Sequence, residues 1–230
     1  MSQQIRWHRF SDSEAVAAEG VARILDAARD AIEAHGVFRI VLAGGGTPQK
    51  TYQLLAGHDA DWPRWEVYLG DERCLPPDDV ERNSAMISRA WLDQGQIPAQ
   101  QIHWIPAERG AQAAAAAYEG VIRAAALPFD VVLLGMGEDG HTASLFPGHT
   151  HDPERLVVPV FQAPKPPAER VSLSYTALGQ CRSLLLMVTG AAKGPALQAW
   201  RSGAALPVSR LRCASGIDVL MDEAAEPGAE

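Results

Sequence analysis

The residues best suited to acid–base chemistry, Asp139 and His141, follow an apolar run in a glycine-rich segment. The run 129–134 (FDVVLL) is short, partly β-branched and followed by Gly135 and Gly137. This pattern predicts a buried strand of a parallel sheet. Open α/β sheets place ligands beyond the carboxyl ends of such strands, and imidazole exchanges protons readily near neutral pH. The alternative is a turn in which Asp139 and His141 only satisfy local backbone groups.

Three consecutive glycines, Gly44, Gly45 and Gly46, follow a predicted strand over 37–43 (VFRIVLA). Glycines let the backbone approach a ligand closely, and a helix that starts here would direct its N–H groups and dipole at an anion. The spacing matches neither the G-x-G-x-x-G fingerprint nor the phosphate loop of nucleotide hydrolases, so dinucleotide and nucleotide binding are rejected. A small-anion site is predicted, with a tight strand-to-helix turn as the alternative.

The helix after these glycines is predicted to run to about Ala56, with Thr47 as its N-cap and Pro48 as its first residue. Lys50 occupies the position where a capping box has Glu or Gln. A cation there opposes the helix dipole by about 0.3–1 kcal/mol, and a bound anion would offset that cost. Lys50 is therefore expected beside the anion.

Charged residues follow two further predicted strands. Asp71 and Arg73 come after the strand 65–69, and Lys193 comes after the apolar strand 183–189, near a helix start. A carboxylate can accept or orient a proton, and a guanidinium can bind phosphate through paired hydrogen bonds. The alternatives are a solvated turn with a salt bridge and an ordinary surface lysine.

Strands and helices alternate along the sequence, and no linker or internal repeat divides it. This predicts one α/β domain over residues 1–230 with a mostly parallel sheet. The first helix is predicted over 11–35, capped by Ser11 or Ser13, with no strand before it. Other predicted elements are a helix from Asn83-Ser84 to Leu92, a strand at 102–105, a helix at 112–126, strands at 156–161 and 170–174, and short segments at 207–211 and 217–221. Residues 222–230 are predicted to be a frayed acidic tail.

The four candidate segments share one property, because each follows a predicted strand. They are Gly44–Thr47, Asp71–Arg73, Asp139–His141 and Lys193. The carboxyl ends of parallel strands meet at one edge of a sheet, so these segments are expected to form a single pocket.

Composition limits the classes of function. With 230 residues, 47% of them hydrophobic, the chain can bury a substantial core. A net charge of −8 argues against a nucleic-acid surface, although a few focused donors can still hold a small anion. No signal peptide and no membrane-spanning run is recognised, so a cytoplasmic location without membrane partners is expected.

Cysteines and histidines give no metal-site pattern. The three cysteines, Cys74, Cys181 and Cys213, are odd in number and far apart, which predicts no disulfide framework and suits a reducing cytosol. His149 and His151 lie near His141 in sequence but lack the helical i, i+4 spacing of a zinc site. His149 and His151 are interpreted as solvated loop residues, and no metal is predicted.

Together these segments resemble a known family. The matching motifs are GGGTP at 44–48, GDER at 70–73, Asn83-Ser84, GMGEDGHTASLFP at 135–147, Lys165-Pro166-Pro167 with Arg170, and Ala192-Lys193. In order and over 37–200, they are similar to the 6-phosphogluconolactonases, whose fold is shared with glucosamine-6-phosphate isomerase/deaminase. The resemblance implies a Rossmann-like three-layer α/β/α sandwich.

The resemblance also implies hydrolysis of 6-phospho-D-glucono-1,5-lactone to 6-phosphogluconate, the second step of the oxidative pentose phosphate pathway, without metal or organic cofactor. By position, His141 would activate water and then protonate the ring oxygen, while Asp71 and Asp139 would orient the imidazole or substrate hydroxyls. The phosphate and sugar hydroxyls would be held by the backbone of Gly44, Gly45 and Gly46 and by Thr47, Arg73, Arg170 and Lys193. A monomer or weak dimer is expected, with the sugar-phosphate lactone as its partner.

Two other functions stay open. In the isomerase/deaminase relatives a glutamate lies five residues after the histidine, whereas this chain has Phe146. A sugar-phosphate sensor would normally carry a helix-turn-helix segment, and only 36 mostly helical residues precede the first predicted strand. A serine esterase is disfavoured because no G-x-S-x-G turn is present. A lactone is an activated ester, so one base with an oriented water suffices for the lactonase.

Overall fold

A computed structural model describes residues 3–124 and 127–226 of the chain. In chain order its strands and α-helices are β1 (Ile5–Phe10), α1 (Ser13–His35), β2 (Phe38–Leu42), α2 (Gly46–Leu55), β3 (Trp65–Leu69), β4 (Asp71–Arg73), α3 (Asn83–Ala90), β5 (Ile102–His103), α4 (Ala111–Ala124), β6 (Phe129–Gly135), β7 (Val157–Val160), β8 (Arg170–Leu173), α5 (Tyr175–Gly179), β9 (Cys181–Val188), α6 (Gly194–Arg201) and β10 (Ile217–Asp222). Short 3₁₀ turns connect several of them, including Ala191–Lys193 and Pro207–Arg210.

Seven of the strands form a parallel sheet in the order β1-β10-β9-β6-β2-β3-β5. Helices pack on this sheet, α1 against β10 and α2 against β6 and β9. The fold is the predicted α/β/α sandwich with a mostly parallel sheet. The four strands that precede the candidate segments, β9, β6, β2 and β3, are direct neighbours, so their carboxyl ends share one edge.

Strand β6 occupies the middle of the sheet, and burial explains its composition. Residues 129–134 are all buried, as expected for a strand covered on both faces. Asp130 is the one charged residue among them. Its carboxylate accepts hydrogen bonds from the backbone N–H of Arg39 at 2.8 Å and contacts Nε2 of His35 at 3.0 Å, so the buried charge is satisfied.

Two buried tyrosines fix the points where β2 and β3 leave the sheet. The hydroxyl of Tyr52 bonds to both the N–H and the carbonyl of Ala43, at 2.9 and 2.8 Å. The hydroxyl of Tyr118 does the same for Leu69, at 2.9 and 3.3 Å. Each phenol replaces the ladder partners that the backbone loses at a strand end. The glycines at 44–46 and the Asp71 strand therefore start from fixed positions.

A second, antiparallel sheet of order β4-β8-β7 was not predicted. Residues 71–73 were expected only to follow the strand 65–69, but they form β4, in which Asp71 pairs with Ser172 and Arg73 with Arg170. The strands predicted at 156–161 and 170–174 exist as β7 and β8, and they belong to this small sheet. It lies beside the carboxyl edge of the main sheet and brings Arg170 next to Arg73.

The N-terminal prediction was wrong, because β1 precedes α1 and pairs in parallel with β10. Helix α1 is capped by Asp12, whose carboxylate accepts from the backbone N–H of Ala15, and not by Ser11 or Ser13. The C-terminal tail also differs from the expectation. Asp222 ends β10 and Ala225 is fully buried, while residues 227–230, like residues 125–126 of the helix predicted at 112–126, lie outside the described residues.

Candidate active site

A cleft of about 290 Å³ lies at the carboxyl edge of the sheet. That volume is close to the small end of the range for ligand pockets, about 300–1,000 Å³, and suits one small ligand. The cleft is lined by nine of the ten predicted site residues: Gly44, Gly45, Gly46, Thr47, Asp71, Arg73, His141, Arg170 and Lys193. The tenth, Asp139, contacts His141 from outside the lining. The predicted convergence of the four segments is thus what the structure shows.

The loop after β6 holds His141 through its own backbone. The N–H of Gly137 donates to the carbonyl of His141 at 2.8 Å, and the N–H of Gly140, a residue with φ of +77°, donates to the carbonyl of Gly137 at 3.0 Å. The imidazole lies directly against Gly137, since a Cβ atom there would be 2.0 Å from Nδ1. Phe146 supports the ring on another side, with 4.7 Å between centroids.

Asp139 fixes the orientation of the imidazole. Its Oδ1 lies 2.5 Å from Nδ1 of His141 and accepts from the His141 backbone N–H at 3.1 Å. With Nδ1 donating to this carboxylate, Nε2 has no hydrogen-bond partner among the described residues and can act as a base. Burial opposes ionisation of Asp139, but these hydrogen bonds outweigh it and lower the pKa of the carboxyl below its usual value.

Asp71 is held by other partners. Asn83 donates to its Oδ1 at 3.0 Å and to its backbone carbonyl at 2.9 Å, and the Ser144 hydroxyl donates to Oδ2 at 2.6 Å. All three residues are buried. Of the two roles predicted for Asp71, contact with the imidazole is absent within the described chain. Its carboxylate lines the cleft and has lone pairs left for a ligand hydroxyl.

Helix α2 begins without a side-chain cap. Gly45, with φ of +105°, is the N-cap residue, and Gly46 is the first helical residue. The prediction that Thr47 caps the helix was wrong, since its hydroxyl contacts the hydroxyl of Thr189 across the sheet edge. Within the described chain no acceptor is paired with the N–H groups of Gly45, Gly46 or Thr47. Free N–H groups at a helix start are donors from which an anion can accept hydrogen bonds.

Gly44 has a separate reason to be glycine. A Cβ atom at this position would lie 2.1 Å from Oδ1 of Asn83. The close approach joins the glycine turn to the residue that holds Asp71. The expectation for Lys50 was wrong: its ammonium donates to Ser13 at 2.8 Å and pairs with Glu14, away from the cleft.

Three of the cations that line the cleft were predicted, and their surroundings differ. Arg73 donates through Nη1 to the carbonyl of Glu81, while its buried Nε has no partner among the described residues. Lys193 has no ion-pair partner within the described ranges. Arg170 is buried and donates to three carbonyls of residues 165–167 at 3.0–3.3 Å, and burial lowers the pKa of its guanidinium. Arg170 therefore holds the proline-rich loop in addition to lining the cleft.

Four lining residues with polar or aromatic side chains were not among the predicted site residues: Asn83, Phe146, Lys165 and Thr189. Three of them fall in the motifs that carried the family resemblance, so that signal was available. The helix predicted from Asn83-Ser84 is α3, and the carboxylate of Glu72 caps it. This carboxylate accepts from the N–H groups of Asn83 and Ser84 at 2.7 and 2.8 Å. The Asn83 side chain is thereby free to bind Asp71.

Neither a metal site nor a membrane-spanning helix is found in the described ranges 3–124 and 127–226. There, no three His, Cys, Asp or Glu side chains are grouped to hold a metal ion. Nor does any helix in these ranges have the length and apolarity needed to cross a bilayer. His149 and His151 are half-buried, not solvated as expected, and burial lowers the pKa of His151.

Comparison with known proteins agrees with this geometry. Residues 11–220 match the family described as glucosamine-6-phosphate isomerases/6-phosphogluconolactonase. The 6-phosphogluconolactonase of Mycobacterium leprae (strain TN) is 40% identical over 210 residues, 85% of each chain. The crystal structure of 6-phosphogluconolactonase from Thermotoga maritima superposes with a TM-score of 0.89 at 28% identity, over 96% of this chain and 100% of that one.

A monomeric glucosamine-6-phosphate deaminase shares the fold as well, with a TM-score of 0.81 at 21% identity over 96% of this chain and 98% of that one. The architecture alone does not separate the lactonases from the deaminases. Sequence identity over most of the chain does establish the membership. The chain belongs to the glucosamine-6-phosphate isomerase/6-phosphogluconolactonase family.

Proposed function

We propose that this chain is a lactonase that hydrolyses 6-phospho-D-glucono-1,5-lactone to 6-phosphogluconate in the oxidative pentose phosphate pathway. The observation that carries the proposal is the placement, in one cleft, of an Asp-held imidazole and an uncapped helix N-terminus flanked by cations. The relatives named as 6-phosphogluconolactonases support the same reaction. The cytoplasmic location stays a prediction, and so does the monomeric or weakly dimeric state.

In the proposed reaction His141 acts first as a base. Nε2 takes a proton from water, and the water oxygen attacks the lactone carbonyl to give a tetrahedral intermediate. The imidazolium then returns the proton to the ring oxygen as the C–O bond breaks, and 6-phosphogluconate is released. Asp139 keeps Nδ1 protonated and stabilises the imidazolium. Because a lactone is an activated ester, no covalent nucleophile is required.

The phosphate of the substrate is assigned to the start of α2. The free N–H groups of Gly45, Gly46 and Thr47 can donate to its oxygens, and the helix dipole favours its charge. The unpartnered Nε of Arg73 and the ammonium of Lys193 provide two cations nearby. A phosphate fixed away from the carbonyl positions the reacting end of the sugar for attack.

Asp71 is assigned to a substrate hydroxyl. Asn83 and Ser144 each occupy one of its oxygens, so both donors hold the carboxylate ready to accept. Arg170 lines the same cleft, but its Nε and Nη2 donate to the loop carbonyls, so its proposed contribution is the loop position and positive charge.

A deaminase is the second candidate, and Phe146 is the observation against it. In the deaminases a glutamate assists ring opening at this position, whereas here an apolar ring packs on the imidazole. For the sensor alternative, residues 3–36 hold β1 and α1 and no helix-turn-helix.

A coupled assay tests the function. The lactone is generated from glucose 6-phosphate by its dehydrogenase, and 6-phosphogluconate is detected through a second dehydrogenase. The chain is expected to accelerate hydrolysis above the spontaneous rate, and His141→Ala is expected to lose this acceleration by about 10²–10⁴-fold. Release of ammonia from glucosamine 6-phosphate without lactone hydrolysis would replace the lactonase with the deaminase.

A further inference from the structure

Two cysteines lie in contact at the edge of the sheet opposite the cleft. Cys181 is the first residue of β9, and Cys213 lies in the segment that leads into β10. Their Sγ atoms are 3.4 Å apart, and both residues are buried. The opposite end of β9, at Val188, adjoins the cleft. It lies about 23 Å from Cys181, because a strand rises by about 3.3 Å per residue. This pair is used by nothing in the proposed mechanism.

The two thiols have different surroundings. Sγ of Cys213 lies 3.1 Å from the Ser215 hydroxyl, and the Arg6 guanidinium is held nearby by its hydrogen bond to the Ser215 carbonyl at 2.8 Å. The hydrogen bond from Cys181, helped by Ser215 and Arg6, lowers the pKa of the Cys213 thiol to about 6. The same contact, together with burial, raises the pKa of Cys181. The thiolate is the nucleophilic form of cysteine, so Cys213 is the reactive member.

The backbone already holds the pair in position. The Cys213 N–H donates to the Gln3 side chain at 2.9 Å, and the Gly216 N–H donates to the Cys213 carbonyl at 3.0 Å. A disulfide requires an S–S distance of about 2.05 Å, so the sulfurs need to approach by about 1.4 Å. Rotation about the two Cα–Cβ bonds is the motion that brings sulfurs together without moving strands.

We propose that Cys181 and Cys213 form an oxidisable pair that a hydroperoxide converts into an intramolecular disulfide. The Cys213 thiolate attacks a peroxide oxygen, the O–O bond breaks, and the sulfur becomes a sulfenic acid. The Cys181 sulfur then attacks the Cys213 sulfur, the S–O bond breaks, and the hydroxyl leaves with the Cys181 proton as water. In total, two thiols and one hydrogen peroxide give one disulfide and two waters.

Cys74 provides an internal control. It is half-buried next to β4 and distant in sequence from the other two, and burial raises the pKa of its thiol to about 11. A thiol that stays protonated reacts slowly with peroxide. Cys74 is therefore expected to stay reduced while the pair is oxidised. The earlier expectation of no disulfide framework then describes the reduced protein.

The test uses the full reduced chain, hydrogen peroxide as oxidant, alkylation under denaturing conditions, and peptide mass analysis. The number of thiols that can be alkylated is expected to fall from three to one, and the remaining labelled thiol should be Cys74. A linked pair of peptides carrying Cys181 and Cys213 should appear. Dithiothreitol should restore all three thiols. Three labelled thiols at peroxide levels that oxidise a small cysteine peptide would overturn the proposal. So would added oxygens on either cysteine without the linked peptides.

Two variants test the order of attack. Cys181→Ser removes the second sulfur, so the sulfenic acid at Cys213 is expected to persist and to be labelled by dimedone. Cys213→Ser is expected to leave Cys181 reduced and unlabelled. Labelling of Cys181 but not Cys213 would overturn the assignment of Cys213 as the attacking thiol. Thiol counts need no substrate, so this result is independent of the lactonase assay.

Discussion

The carboxylate of Asp139 binds both the ring and the backbone of His141, with 2.5 Å between Oδ1 and Nδ1 and 3.1 Å between Oδ1 and the backbone nitrogen. Asp139 and His141 are two residues apart on one turn and form a unit in which the carboxylate sets the tautomer of the imidazole. The unit is attached to the end of β6, whose residues 129–134 are all buried. The cleft residues that follow β2, β3 and β9 are placed relative to that strand.

The first prediction concerns Asp139. Asp139→Ala removes the partner of Nδ1, so the ring loses its fixed orientation and the imidazolium loses its counter-charge. We expect kcat for the lactone to fall by about 10–10²-fold with little change in KM. Steady-state kinetics measure both constants. An unchanged kcat would show that the imidazole is oriented by other groups.

The second prediction concerns Gly137. Gly137→Ala places a methyl group where the imidazole lies, 2.0 Å from Nδ1, so His141 must leave its position. We expect activity to fall nearly as far as in His141→Ala while the thermal midpoint changes little, because the loop can shift. Gly120→Ala, on α4 with no atom within 4 Å of the new methyl, is the control and should keep full activity. Full activity in both variants would contradict the site geometry.

The third prediction separates phosphate binding from chemistry. Arg73→Ala and Lys193→Ala are each expected to raise KM for the phosphorylated lactone by about 10-fold, a loss of about 1.4 kcal/mol, with a smaller change in kcat. Lys50→Ala is the matched control, because this lysine pairs with Glu14 outside the cleft. Glucono-1,5-lactone lacks the phosphate, so the three variants and the unchanged chain should hydrolyse it at equal rates. A parallel loss on both lactones would contradict a phosphate role.

The fourth prediction concerns stability and pH. Burial opposes ionisation of Asp218, but hydrogen bonds from Arg6 and His8 and the charge of Arg23 lower its pKa from 3.8 to about 2. A carboxyl with a depressed folded-state pKa stabilises the fold above its unfolded pKa and loses that contribution as pH falls through the folded value. Asp218→Asn should therefore lower the free energy of unfolding by about 1–2 kcal/mol at pH 7.

Urea unfolding at several pH values checks this expectation. The difference between Asp218→Asn and the unchanged chain should shrink between about pH 4 and pH 2. Asp26→Asn breaks an exposed pair with Arg29 and should change stability by less than about 1 kcal/mol throughout. A deficit for Asp218→Asn that persists unchanged to pH 2 would show that its cause is not the carboxylate charge.

Local pattern predicted the central sheet well and the long-range contacts poorly. The run 129–134 was recognised because a strand buried on both faces is apolar throughout. Strand β1 was missed because it is a half-exposed edge strand with charged residues. It is held by contacts of Arg6 and His8 with Asp218, which is more than 200 positions away. No local signal marks such a pairing.

The same contrast between local pattern and long-range contacts explains which features of the site were predicted. Segments that follow strands were correctly expected to meet, because parallel strands deliver their ends to one edge. Individual partners were not foreseen when they come from elsewhere in the chain: Glu72 caps α3, and Thr189 contacts Thr47 in place of a helix cap. Arg170 was expected to hold phosphate, yet most of its donors bind the carbonyls of residues 165–167. Those contacts depend on the unpredicted antiparallel sheet.

The most direct measurement is a crystal structure of the chain with 6-phosphogluconate, the product of the proposed reaction. We expect the phosphate at the N–H groups of Gly45, Gly46 and Thr47, and the new carboxylate within hydrogen-bond distance of Nε2 of His141. Product bound with its carboxylate remote from His141, or with its phosphate away from the start of α2, would contradict the account.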